Sequence, residues 1–358
     1  MNRRKAMAVA SVALLLLAGG TGVVLLLRKP DVDSYERTTM RVDVVVTLSN
    51  LGNSMATNIP LRLALPLEVP SVQHVSRLSY SEPPQRYSND SWGNSFAHFE
   101  VDNLGPADEH VITLTMELVM TSVDWNLGRE DVGAYGPGLE RYLEETVFLN
   151  FNDAGVLALS HTLGDRSSDV LDLAWRTYSW VVDNMVYQQV AGELDAATAL
   201  KNGEGGSAEL ANLWVALMRA NGVPARRVSG WGNHFAAGEE LTVARFAHGW
   251  AEFLVPGYGW IPVDPTWGQT NKFDSFAKAD GSHVALTTEA GIHFLQRGAF
   301  DEPYGPTDVG TDYVLVVRSV TLDNLSFKRD LIAGMIFSPP LAFAAFVISK
   351  RARQRMVG

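Results

Sequence analysis

The sequence predicts an α+β protein in which an antiparallel β domain precedes a mixed domain of helices and strands, with a membrane-spanning segment at each end. Three observations carry this. Apolar residues recur with period two from 41 to about 120, the pattern of half-buried strands. From 171 onward they recur at helical spacing, and two uncharged runs, 6–27 and 331–349, are bordered by basic residues.

Run 6–27 has 22 residues, about 33 Å as a helix, roughly one hydrocarbon core. Arg3, Arg4 and Lys5 precede it, and it ends in Arg28 and Lys29 rather than a small-residue cleavage site, which favours an anchor over a cleaved leader. Run 331–349 carries Pro339 and Pro340, which would kink a helix, but Lys350, Arg351, Arg353 and Arg355 form a basic collar behind it. The expected organisation is an anchor at 1–30, a β domain at 31–130, a mixed domain at 131–325, a second span at 331–349 and a basic cytoplasmic tail at 350–358. Basic residues at both ends place the termini in the cytoplasm and the domains outside the cell membrane.

All 40 acidic residues lie between Asp31 and Asp330, where they face 20 basic residues, a net charge of −20. Such a surface repels nucleic acid, so no nucleic-acid partner is expected. The chain has no cysteine, which excludes disulfides, thiolate metal sites and a cysteine nucleophile. Nor does it contain an H-E-x-x-H, Walker or dinucleotide fingerprint, so no metal or nucleotide cofactor is expected.

In the β domain, Val42, Val44, Val46 and Leu48 define one strand face, and Ile59, Leu61, Leu63 and Leu65 a second. Ile112, Leu114, Met116, Leu118 and Met120 define another. Leu171, Trp175, Tyr178, Val182 and Met185 then mark an amphipathic helix, with Ser167 as its candidate N-cap. A second helix is expected from Ser207, with Leu210, Leu213, Trp214 and Leu217 on one face and Gly222 and Pro224 closing it. Strands at 246–254 and 260–264 flank Pro256-Gly257-Tyr258-Gly259, and 313–320 is a later strand.

The chemistry gathers at three positions. Gly203, Gly205 and Gly206 lead into Ser207 at a helix N-terminus, where backbone amides and the helix dipole would stabilise an anion. His248 and Asp264 each lie eight residues from Pro256, so a hairpin turning there would set them opposite each other on one face. A carboxylate beside an imidazole holds its tautomer and stabilises its protonated form, the support a general base needs. Each feature alone also fits a plain helix cap or a surface pair.

The combination resembles the transglutaminase-like superfamily. Gly205-Gly206-Ser207-Ala208-Glu209-Leu210-Ala211, Gly222-Val223-Pro224-Ala225-Arg226, His248-Gly249-Trp250-Ala251-Glu252-Phe253 and Gly259-Trp260-Ile261-Pro262-Val263-Asp264-Pro265-Thr266 follow that family's order and spacing over roughly 171–286. The resemblance implies a papain-like core with a Cys-His-Asp triad, acting on protein or peptide amides by acyl transfer or hydrolysis. His248 is then the base, Asp264 its orienter, and Ser207 stands at the nucleophile's place.

Serine leaves three readings open. Ser-His-Asp is a working triad on other folds; a site shaped for a thiolate serves serine poorly; or serine disarms the site and leaves a module that binds protein or peptide partners at the cell surface. Trp231, Trp250, Trp260 and Trp267 read as core ahead of cleft lining. Arg219 and Arg226 read as partners of acids or carbonyls, Glu252 as a structural partner on the His248 face, and His234 and His283 as residues of the cleft rim.

Overall fold

The computed structural model describes residues 32–125, 127, 135–167, 169–190, 192–289, 291, 294–297 and 308–324. The described part begins with six strands, β1 (Val32–Asn50), β2 (Ala56–Ala64), β3 (Gln73–Tyr80), β4 (Arg86–Asn89), β5 (Ser95–Leu104) and β6 (Glu109–Trp125). Helices α1 (Ala154–Gly164) and α2 (Val170–Asn184) follow, then β7 (Val186–Tyr187), α3 (Ala196–Asn202), β8 (Glu204–Gly205) and α4 (Ser207–Ala220). The remainder is β9 (Ala225–Gly232), β10 (Glu240–Thr242), α5 (Val243–Phe246), β11 (Ala247–Val255), β12 (Gly259–Val263), α6 (Pro265–Gly268), β13 (Lys278–Ala279), β14 (His283–Thr288), β15 (Leu295–Arg297) and β16 (Val309–Asn324).

Two sheets form a sandwich. In the first, β1 runs antiparallel between β6 and β16, with β10 and β13 at the edges and β3 also on β6. The second has the order β15-β2-β5-β4. The period-two faces explain the packing: Val42, Val44, Val46 and Leu48 join Ile59, Leu61, Leu63 and Leu114 in one buried core. Strand β16, inside the range 131–325 assigned to the mixed domain, pairs with β1 from Glu36↔Asn324 to Asn50↔Val309. The sandwich is therefore closed by the last described strand.

A four-stranded antiparallel sheet, β12-β11-β9-β14, builds the second core against α4. Every residue from Glu209 to Arg219 in α4 is buried. The sequence pattern showed one apolar face, but the helix is central, packed by α1, α2, α3, β9 and β11. Its polar residues consequently need internal partners. Arg219 finds them in the Ala225 carbonyl at 2.8 Å, the Glu144 carbonyl at 2.7 Å and the Glu289 carboxylate at 2.8 Å.

Helix α2 starts about two residues later than expected, at Val170. Asp169, not Ser167, is its N-cap and accepts from the Asp172 amide at 2.8 Å, while the Ser167 hydroxyl donates back to the Leu163 carbonyl and finishes α1. Among the described residues no helix is long and apolar enough to cross a membrane. Both expected spans, 6–27 and 331–349, lie outside the described residues.

Replacing Arg219 leaves the Glu289 charge buried without its partner, so Arg219→Ala is expected to lower folding stability by about 3–5 kcal/mol, read from the shift in the chemical denaturation midpoint.

Candidate functional site

The glycine segment before α4 is held on both sides. Gly203 caps α3 with φ of 73°, a conformation glycine adopts freely, and β8 then runs parallel to β7 through the pairs Val186↔Glu204 and Tyr187↔Gly205. A Cβ on Gly205 would lie 2.4 Å from that of Glu209, so only glycine passes beneath the first turn of α4. The buried Glu209 carboxylate accepts from the Gly206 amide at 2.8 Å and the Leu194 amide at 3.0 Å. With glycine at the N-cap, this is one half of a capping box. Ser207 begins the helix, as its sequence context predicted.

Strand β11 lies against that first turn. A Cβ on Gly249 would come within 3.3 Å of the Ala208 Cα, and the Gly249 amide donates to the Ser207 Oγ at 3.2 Å. Ser207 and His248 thereby border one cavity of about 520 Å³. Its far wall is Leu286, Phe294 and the β16 residues Thr311, Asp312 and Tyr313, so the sandwich helps enclose the cleft.

The His248 Nε2 donates to Asp264 Oδ2 at 2.7 Å. The contact was expected, but the register that makes it was not. The hairpin turns on Pro256-Gly257-Tyr258, with Val255↔Gly259 as its innermost pair, and the ladder ends at Ala251↔Val263. His248 is instead paired with Gly230 of β9. Asp264 leaves the sheet to cap α6, where its Oδ1 accepts the Thr266 and Trp267 amides at 2.9 and 3.0 Å, and its Oδ2 reaches back to His248. Four donors thus converge on one carboxylate, because the second Oδ2 donor is His283 at 3.1 Å.

His283 was expected at the rim. It sits at the start of β14, opposite Gly232, and its other nitrogen contacts Asp280 Oδ1 at 2.8 Å. A Cβ on Gly232 would come within 2.8 Å of the His248 ring, so the missing side chain at this position of β9 makes room for that imidazole. Trp267 lies 4.3 Å from the His283 ring and 5.4 Å from the His248 ring, between centroids. None of Trp231, Trp250, Trp260 or Trp267 borders the Ser207 cavity; Trp231 and Trp250 are core. Arg226 pairs with Glu252 at 2.7 Å, and His234 contacts the Ser282 hydroxyl at 3.0 Å.

The ligating atoms of His248, Asp264 and His283 lie within 4.8 Å of one another, a spacing one cation could bridge. Here the same atoms share protons. Burial works against the Asp264 charge, but the two imidazoles outweigh it and hold the carboxyl well below the usual carboxylate range. Burial alone would also lower His283, but its bonds to Asp264 and Asp280 push it up to about 9. Arg227, in the cleft wall, is buried and bonded to Glu193 at 2.8 Å. No sequence motif had singled out Glu193 or Arg227.

Residues 158–265 match the transglutaminase-like superfamily. Over 63 residues the chain is 43% identical to a protein-glutamine gamma-glutamyltransferase of Pseudomonas aeruginosa, covering 17% of this chain and 9% of that protein. An uncharacterised Haemophilus influenzae protein is 27% identical over 150 residues, 36% of this chain and 40% of that one. The chain thus spans well under half the length of both relatives. A structure from Cytophaga hutchinsonii, described only provisionally as a cysteine protease, superposes with a TM-score of 0.56 over 82% of this chain and 92% of that one, at 14% identity. Fold and matched segment agree: the chain carries a transglutaminase-like, papain-related α+β fold. It does so without a cysteine.

A carboxyl whose folded value is depressed adds stability above its unfolded value, about 4, and loses it as pH falls through the folded value. The gap in denaturation midpoint between the native chain and Asp264→Asn is therefore expected to be largest above about pH 4 and to narrow below it. For His283 the sign is opposite. Its contribution is complete below about 6.5 and is lost as pH rises through about 9.

Proposed function

We propose that this chain is a membrane-anchored, extracytoplasmic transglutaminase-like protein that attacks protein or peptide amides through Ser207, His248 and Asp264. The observation that carries the reading is the 2.7 Å His248–Asp264 bond, buried beside a cavity that Ser207 also borders at a helix N-terminus.

With Nε2 committed to Asp264, Nδ1 is the His248 nitrogen left to take a proton. In the proposed reaction it removes the Ser207 hydroxyl proton as Oγ bonds to the amide carbon. The oxyanion forms next to backbone amides of the first turn of α4. Collapse breaks the C–N bond, His248 returns the proton to the leaving amine, and an acyl-serine remains. Water or a second amine then takes the acyl group by the same proton path. Asp264 stays ionised throughout and stabilises the imidazolium.

A second reading is a binding module that keeps the cleft and not the reaction. The complete lack of cysteine favours it, as does the Ser207 Oγ accepting from the Gly249 amide.

A serine-directed fluorophosphonate separates the two. On the first reading the detergent-solubilised chain is labelled at Ser207, and His248→Ala removes the label; no label and no peptide turnover would overturn it. Ser207→Cys is expected to react with iodoacetamide and to raise turnover up to about a hundredfold, the scale of a misplaced attack distance. On the second reading Ser207→Ala leaves ligand affinity unchanged.

Because the native chain has no thiol, its topology is readable with single cysteines. In intact cells an impermeant maleimide is expected to label Leu51→Cys, at an exposed turn, and to label Met356→Cys only after lysis. The reverse pattern would refute the proposed orientation.

A further inference from the structure

We propose that Asp312 sets the specificity of the Ser207 cavity: it holds a cationic side chain, arginine or lysine, of the peptide whose amide lies at Ser207. The inference rests on reading that cavity as a peptide cleft, and it names the charge of the peptide.

The backbone of β16 fixes where the carboxylate lies. Along a strand, the amide and carbonyl of one residue point to one edge and those of the next residue to the other. The Val317 amide donates to the Glu239 carbonyl and the Val317 carbonyl accepts the Gly238 amide, both at 2.8 Å, so Val317 faces the edge that β10 covers. Leu315 and Tyr313 follow on that edge at intervals of two. The β10–β16 ladder runs from Glu240↔Val316 to Thr242↔Val314, and the chain then turns away as α5. Past Val314 the edge has lost β10, and the Tyr313 amide donates instead to Asp312 Oδ1 at 2.8 Å. The Asp312 side chain is therefore folded over the edge that faces away from β1. There Thr311, Asp312 and Tyr313 border the cavity.

The charges of the cavity leave this carboxylate unanswered from within. Among the described residues it is the one acid on the cavity wall, it is exposed, and it makes no ion pair. Arg227, the cation of the wall, is buried and met by Glu193 at 2.8 Å, with Glu209 and Glu289 also near. His248 bonds Asp264 behind the wall. Leu286, Phe294, Leu295 and Tyr313 make the surface beside Asp312 apolar. A long basic side chain suits both parts, its methylene stem on the apolar surface and its charged head at the carboxylate. A glutamate there would set two carboxylates together. The net charge of −20 between residues 31 and 330 draws a basic peptide toward the molecule, and Asp312 then places it.

The test reads binding rather than turnover. Acetylated fluorescent peptides carry one central glutamine among glycine and alanine, with arginine, norleucine or glutamate at each flanking position in turn. Their affinity for the full chain in nonionic detergent micelles is read by fluorescence anisotropy, with Ser207→Ala to keep them intact. Norleucine supplies the stem without the charge. Arginine at one position is expected to bind about fivefold tighter than norleucine there, the scale of an exposed ion pair. Asp312→Asn is expected to remove that gain. No binding by any peptide, an arginine gain equal at every position, or a gain that survives Asp312→Asn overturns the proposal. Should Asp312→Asn fail to fold, an equal loss of affinity with added salt for the arginine and norleucine peptides overturns it. Fluorophosphonate labelling without an arginine gain sinks this subsite alone, and an arginine gain without labelling sinks the acyl-transfer reading alone.

Discussion

The site depends on a close backbone contact, the first turn of α4 against β11 at Gly249. A side chain there would meet the Ala208 backbone at 3.3 Å and force helix and strand apart. Ser207 and His248 come from positions 41 residues apart in sequence, and only this approach sets them on one cavity. Much of the second core serves it. The all-round burial of α4 fixes the helix, and Glu209 ties its first turn to the glycine segment and to Leu194. Arg219 anchors its last turn to three separate parts of the chain.

Electrostatically the interior combines shared carboxylates with the buried pairs Arg219–Glu289 and Arg226–Glu252. Asp264 takes four donors, Glu209 two backbone amides, and Glu193 both Arg227 and Asn212. Each such carboxylate joins segments distant in sequence, which trades some desolvation cost for a fixed geometry. A net charge of −20 between residues 31 and 330 is thus partly a surface property and partly internal scaffolding.

What sequence could reveal follows from the range of each interaction. The strand faces at Val42–Leu48 and Ile112–Met120 were legible because period two is local, and the start of α4 because glycines before Ser207 announce it. The pairing of His248 with Asp264 was legible for an incomplete reason. A hairpin symmetric about Pro256 would set them opposite, whereas the turn is centred one residue later and Asp264 makes the contact from a helix cap. The place of His283 required the strand order β12-β11-β9-β14, which brings β14 beside β9 without any local signature. Gly232, which leaves room for the His248 ring, is likewise readable as a glycine of the site only once its neighbours are known. The membrane segments rest on composition alone, since residues 6–27 and 331–349 lie outside the described part.

The registration of β1 with β16 has a mechanical meaning. Glu36 faces Asn324 at one end of the ladder, so the start of the first described strand and the end of the last lie side by side. With an anchor beyond each of those ends, as proposed, both anchors would pull on the same end of one two-stranded ladder. Tension drawing the two anchors apart would load the β1–β16 hydrogen bonds one after another from that end, as a zipper opens. Because β16 also carries Thr311, Asp312 and Tyr313 at the far end of the same ladder, the cleft wall would be the last part of the strand to yield.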